Sequence, residues 1–175
     1  MKDKSEIWKP WIGSLLLMPI VIFLIINQGE FIFLLDHLNL LFHEGGHGVF
    51  RPFGKFIYTL GGSMMQVIIP SLFILYFAWN RKRFGVQVSM LYLAQNIMNV
   101  SVYVGDAVER KLPLLGGNNV YHDWNYLLAE LNILSYDKTV ATIIYIIACV
   151  ICFTALIIPF FWRDYKKANL NLKLS

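Results

Sequence analysis

The spacing of charged residues constrains this chain more than any other feature. No Asp, Glu, Lys or Arg occurs in Pro10–Gly29, Phe56–Asn80, Phe84–Gly105 or Thr139–Trp162. An α-helix rises about 1.5 Å per residue, so about 20 residues cross a hydrocarbon core about 30 Å thick. Each of the four runs reaches that length. A soluble domain is about 25% charged, whereas this chain is 15% charged and 57% hydrophobic. None of its five tryptophans sits in the middle of an apolar run, and indole rings favour the headgroup level of a bilayer. The expected fold is all-α: a polytopic membrane helical bundle with about five hydrophobic segments.

The segments read in order as a tail at 1–10, a first span at about 11–27 and a segment at 31–50. A connector follows at 51–59, then spans at about 60–79 and 86–105. A polar loop occupies 106–123, with a short amphipathic helix at 124–133, a last span at about 139–162 and a basic tail at 163–175. Residues 11–162 form one expected transmembrane domain with its core at 31–110. The first span has a long apolar core and no small-x-small cleavage pattern, so it reads as retained rather than as a signal peptide. The two cysteines, Cys149 and Cys152, share one face of the last span and are expected to serve as small apolar residues. The net charge of +4 suits anionic headgroups, and no basic cluster is dense enough to argue for nucleic acid. Lysine and arginine divide almost evenly between the two sides, which leaves orientation open.

The segment at 31–50 stands apart. It has the length of a span, yet it holds Asp36, Glu44 and three of the four histidines: His37, His43 and His47. Ionisable groups at membrane depth are costly and tend to be functional. His43-Glu44-Gly45-Gly46-His47 has the His-Glu-x-x-His form. Residues i and i+4 of a helix share a face, so both imidazoles can reach one metal ion. Glu44 follows the first ligand and is placed to take a proton from a water at the metal. Imidazole with carboxylate suits Zn2+. Asp36 and Asn39 fall on the same face as His43 and are candidates to orient the ligands. His37 lies off that face. Gly45, Gly46 and Gly48 are read chiefly as allowing close helix packing.

A catalytic zinc site ordinarily has three protein ligands. Counting spans, the end of the 86–105 span returns to the side of the motif. Asp106 adjoins that end and is the preferred third ligand. Asp123, in His122-Asp123-Trp124, is the alternative. Gln66, inside the 60–79 span, and Asn99, on the face of Tyr103 and Asp106, are candidates to contact a substrate. Gln66 can equally bond within the bundle. Pro70 is expected to kink its helix.

These motifs resemble the site-2 protease family of intramembrane zinc metalloproteases. The likeness rests on HEGGH at 43–47 on a hydrophobic helix, a glycine-containing next span from Gly61 to Pro70, and an aspartate ending the span after that. It implies two histidine ligands, His43 and His47, a glutamate base, Glu44, and an aspartate ligand, Asp106. It also implies cleavage of a peptide bond in or near the membrane. The family's Asn-Pro…Asp-Gly text is absent: this chain runs from Asn99 to Ala107 with no proline and no glycine after Asp106.

The expected function is therefore an intramembrane zinc metalloendopeptidase. Its partners are a membrane-protein or peptide substrate and the lipid bilayer. One alternative is a non-proteolytic metal-binding scaffold or transporter with the same ligands. Another is a zinc hydrolase of lipid or lipidated peptide, since the motif specifies the water chemistry and not the acyl group attacked.

Overall fold

The computed structural model describes residues 8–112 and 121–162, and every regular element among them is helical. Most of the two expected tails and the middle of the 106–123 loop lie outside the described residues. The long helices are α1 (Ile12–Ile26), α2 (Phe33–Phe50), α3 (Lys55–Trp79), α4 (Arg83–Gly105) and α6 (Asp137–Phe161). The short α5 (Asp123–Glu130) stands between α4 and α6.

The expected connector at 51–59 is shorter than its composition suggested. A 3-10 turn at Arg51–Phe53 ends at Gly54, whose φ of 84° lies in the left-handed region that favours glycine. Nothing in Lys55–Thr59 then opposes a helix, and Tyr58 N–H already donates to the Gly54 carbonyl at 2.9 Å. Pro70 lies inside α3 and removes the amide that the Gln66 carbonyl would accept from.

Three stretches are long and apolar enough to cross a membrane: Lys9–Ile26, Lys55–Trp79 and Leu134–Phe161. The difference from the five expected hydrophobic segments lies in α2 and α4, whose polarity is turned inward. Asp36, Asn39 and His43 of α2 are buried, as are Gln87, Ser89, Gln95, Asn96 and Ser101 of α4. Meanwhile Leu16, Leu75, Ile146 and Phe153 on α1, α3 and α6 are exposed. Apolar surface outside and amides inside is the arrangement that hydrocarbon solvent favours, because buried polar groups must find partners within the bundle.

Helix α4 packs against both α3 and α6. One core joins Leu17, Val21 and Leu24 of α1 to Leu91, Ala94 and Met98 of α4 and Ala148, Cys152 and Ala155 of α6. The small α6 residues allow a close approach to α4. Cys152 is fully buried there, Cys149 packs against it, and both thiols are free, as expected of small apolar residues. Polar pins add direction: Gln87 Nε2 donates to Ser14 Oγ and to the Ala155 carbonyl, each at 2.8 Å.

Helices α2 and α3 meet through glycines. A Cβ on Gly46 would stand 2.1 Å from the Gly61 carbonyl oxygen, and one on Gly61 would stand 2.8 Å from Phe50 Cβ. Gly46 therefore serves the close packing expected of it. Gly45 and Gly48 do not, since a Cβ on either meets nothing within 4 Å.

Candidate metal centre

The one-turn separation of His43 and His47 on α2 puts their rings on a single face, with centroids 4.8 Å apart. Each ring is held by its Nδ1. His47 Nδ1–H donates to the Tyr58 carbonyl at 2.9 Å, and His43 Nδ1–H donates to Gln66 Oε1 at 3.0 Å. A carbonyl only accepts, so the proton of a neutral His47 must sit on Nδ1, leaving a lone pair on Nε2. The Gln66 contact does the same for His43. This outer support is what metal-bound histidines ordinarily have. The packing agrees: a Cβ on Gly62 would stand 2.5 Å from His43 Nε2, so only glycine leaves room for the ring.

Both Nε2 atoms face the same carboxylate oxygen. Asp123 Oδ2 lies 2.9 Å from His43 Nε2 and 3.2 Å from His47 Nε2. The side chains are only 9–14% exposed, so water screens them little. Two lone pairs and a carboxylate converging in this way repel unless a cation lies between them. A proton can serve, making a histidine an imidazolium bonded to Asp123. In that state burial pushes the Asp123 carboxyl up, but the hydrogen bonds from His43 and His47 outweigh it and hold it below its usual range. A metal ion serves better, because it satisfies all three atoms at once. Tetrahedral zinc with bonds of about 2.0–2.1 Å separates neighbouring ligand atoms by about 3.3 Å, close to the two separations observed. Among the described residues, His43, His47 and Asp123 form a group able to hold a metal ion, their ligand atoms all within 4.8 Å of one another.

Asp123 arrives on the first residue of α5, and several bonds place it. The His122 imidazole caps the helix, its Nδ1 accepting from Asn125 N–H at 3.3 Å. Trp124 Nε1–H donates to Ser63 Oγ on α3 at 3.0 Å. Asp123 N–H donates to the Tyr103 hydroxyl on α4 at 3.1 Å. Trp124 thus ties α5 to the bundle.

Asp106, the preferred third ligand on sequence grounds, is not brought to the histidines. Its carboxylate accepts from Lys111 N–H at 2.8 Å and from Leu112 N–H at 2.9 Å, folding the chain beyond α4 back on itself. It also lies 3.4 Å from His122 Nε2. Burial lowers the His122 pKa, with Asp106 acting the other way, and the imidazole stays mainly neutral at pH 7. Asp106 therefore braces the residue next to Asp123 rather than replacing it.

The other candidates separate clearly. Gln66 supports His43. Asn99 donates to Asp36 Oδ1, as do Gln95 Nε2 at 2.6 Å and Asn39 Nδ2 at 3.4 Å. Ile32 N–H donates to the other Asp36 oxygen, and Tyr92 O–H donates to Asn39 Oδ1 at 3.0 Å. This buried cluster fastens α2 to α4; Asp36 and Asn39 make no bond to the metal-facing histidines. His37 is satisfied locally, donating from Nδ1 to the Phe33 carbonyl. Glu44 is exposed, one residue after His43, and its charge acts on His47 and Tyr103. Sequence reasoning missed the Tyr58 carbonyl, which has no side-chain signal, and Tyr103, whose only signal was its place on the Asn99–Asp106 face.

No protein-family model, curated protein or solved structure shows a significant match to the chain.

Proposed function

We propose that this chain is a multi-pass integral membrane zinc metalloprotease of the site-2 protease-like kind, acting on a membrane-embedded or juxtamembrane peptide bond. The observation that carries the reading is the convergence of His43 Nε2 and His47 Nε2 on Asp123 Oδ2, with both Nδ1 atoms already engaged. Imidazole with carboxylate favours zinc over magnesium or calcium. The three spanning-length helices support the location.

A bound zinc ion would supply a polarised carbonyl and an acidified water. The chain supplies the rest. His43, His47 and Asp123 hold the ion. Gln66 and the Tyr58 carbonyl keep the imidazoles aimed. Glu44 is open to water beside the site; it takes the proton of the attacking water and returns it to the departing amine. Gly45 and Gly48 leave the neighbouring surface of α2 without side chains, so an extended peptide backbone can lie against it.

The test is Glu44→Gln, assayed with membrane-spanning peptides in proteoliposomes. The variant should bind zinc as the wild type does and lose cleavage by roughly a hundred- to ten-thousand-fold. Full turnover by the Glu44→Gln variant would remove the glutamate from the mechanism. Zinc-dependent metal flux without hydrolysis in the wild type would favour a transporter instead.

A further inference from the structure

The Tyr103 hydroxyl keeps a donor that no other described group of the protein uses. It accepts from Asp123 N–H at 3.1 Å, and among the described residues no acceptor takes its own hydrogen. The ring is fixed on both sides, against His43 at 5.8 Å and against His122 at 4.3 Å between centroids. Its backbone lies in the last turn of α4. The side chain is half-buried. The hydroxyl is bonded directly to the backbone of Asp123, which places it beside the third ligand.

We infer that Tyr103 is a catalytic residue, whose O–H donates a hydrogen bond to the substrate carbonyl oxygen as that oxygen gains negative charge. The inference rests on the metal-centre reading above. In the step, the water oxygen bonds to the carbonyl carbon and the carbonyl π pair moves to oxygen. Glu44 takes the water proton. The oxygen accepts the Tyr103 hydrogen bond without removing its proton, because a phenol of ordinary pKa about 10 stays protonated at neutral pH. When the oxygen pair returns, the carbon–nitrogen bond breaks and the Glu44 proton goes to nitrogen. A fixed donor placed where charge develops favours the transition state over the ground state. The hydrogen bond received from Asp123 N–H polarises the phenol and makes it a stronger donor.

The experiment uses the detergent-solubilised full chain with cobalt(II) in the site, whose visible spectrum reports ligand geometry without any turnover. Two probes are titrated: a phosphinic dialanine isostere, which carries tetrahedral oxygens, and 2-mercaptoethanol, which reaches the metal through sulfur and offers no oxyanion. Tyr103→Phe should leave the probe-free spectrum and thiol binding unchanged and weaken the phosphinate by roughly ten- to a hundred-fold. Equal weakening of both probes, or of neither, would overturn the inference, because a merely structural tyrosine acts on both alike. If Tyr103→Phe fails to fold, 3-fluorotyrosine at position 103 keeps the hydroxyl and makes it more acidic. It should then shift phosphinate affinity and not thiol affinity, and no shift overturns the inference. A wild type that takes up no cobalt and no zinc defeats the metal-centre reading itself and this inference with it; binding of both probes equally by wild type and Tyr103→Phe defeats only the role of Tyr103.

Discussion

Gln66 shows how one amide inside an apolar helix acquires a purpose. Its Oε1 accepts from His43 Nδ1 at 3.0 Å, and it is buried. Replacing it with leucine keeps the approximate volume but removes the acceptor, so the His43 proton is no longer directed away from the metal. Gln66→Leu should weaken zinc affinity by roughly ten- to a hundred-fold, read by competition with a chromophoric chelator. Unchanged affinity would mean that packing alone orients the ring. The site was partly legible in the sequence. His43, Glu44 and His47 are displayed by a local period that any helix repeats. Their outer partners come from other helices, one of them a backbone carbonyl, and no periodicity encodes such contacts. Asp106 and Asp123 show the same limit. Span counting put both on the motif's side, but it carried no information on where each carboxylate points. The backbone amides of Lys111 and Leu112 take Asp106, while Tyr103 and Ser63 help hold Asp123 at the histidines.

At the level of elements, the α2–α3 contact decides whether the centre can form, and its glycines are unequal. Gly46 and Gly61 bring the two backbones together, and Gly62 makes room for the His43 ring. Gly46→Ala would place a methyl 2.1 Å from a carbonyl oxygen that cannot swing aside, so the helices must separate. Overpacking of this kind typically costs about 1–3 kcal/mol. Gly62→Ala presses on a ligand instead, and its chief effect should be lost metal affinity. Gly48→Ala meets nothing and should stabilise α2 by up to about 1 kcal/mol through helix propensity. Thermal unfolding in detergent, with zinc content measured alongside, separates the three. Equal effects at Gly46 and Gly48 would contradict the packing described here. The long helices were legible because an uncharged run of spanning length admits few other structures. The early start of α3 was not, because Gly54 ends the preceding turn through a backbone angle that composition does not announce.

The whole molecule is organised around the inversion of polarity between its surface and its interior. Amides and a buried carboxylate join α2 to α4, small apolar residues join α4 to α6, and exposed aliphatic side chains cover α1, α3 and α6. The group able to hold a metal ion forms only when this arrangement is complete. Its three residues come from α2 and α5, 80 residues apart between His43 and Asp123, and their supports come from α3 and α4. Helix α5 reaches the histidines because Trp124 grips α3 and Asp123 N–H grips α4, so the ligand set depends on the bundle as a whole. The most direct measurement is zinc content per chain in the purified detergent-solubilised protein, compared among wild type, Asp123→Ala and Asp106→Ala. Wild type should hold about one zinc and Asp123→Ala should lose it, whereas a folded Asp106→Ala should retain it. Retention by Asp123→Ala with loss in Asp106→Ala, or a wild type that holds no zinc after zinc supplementation, would contradict the centre described here.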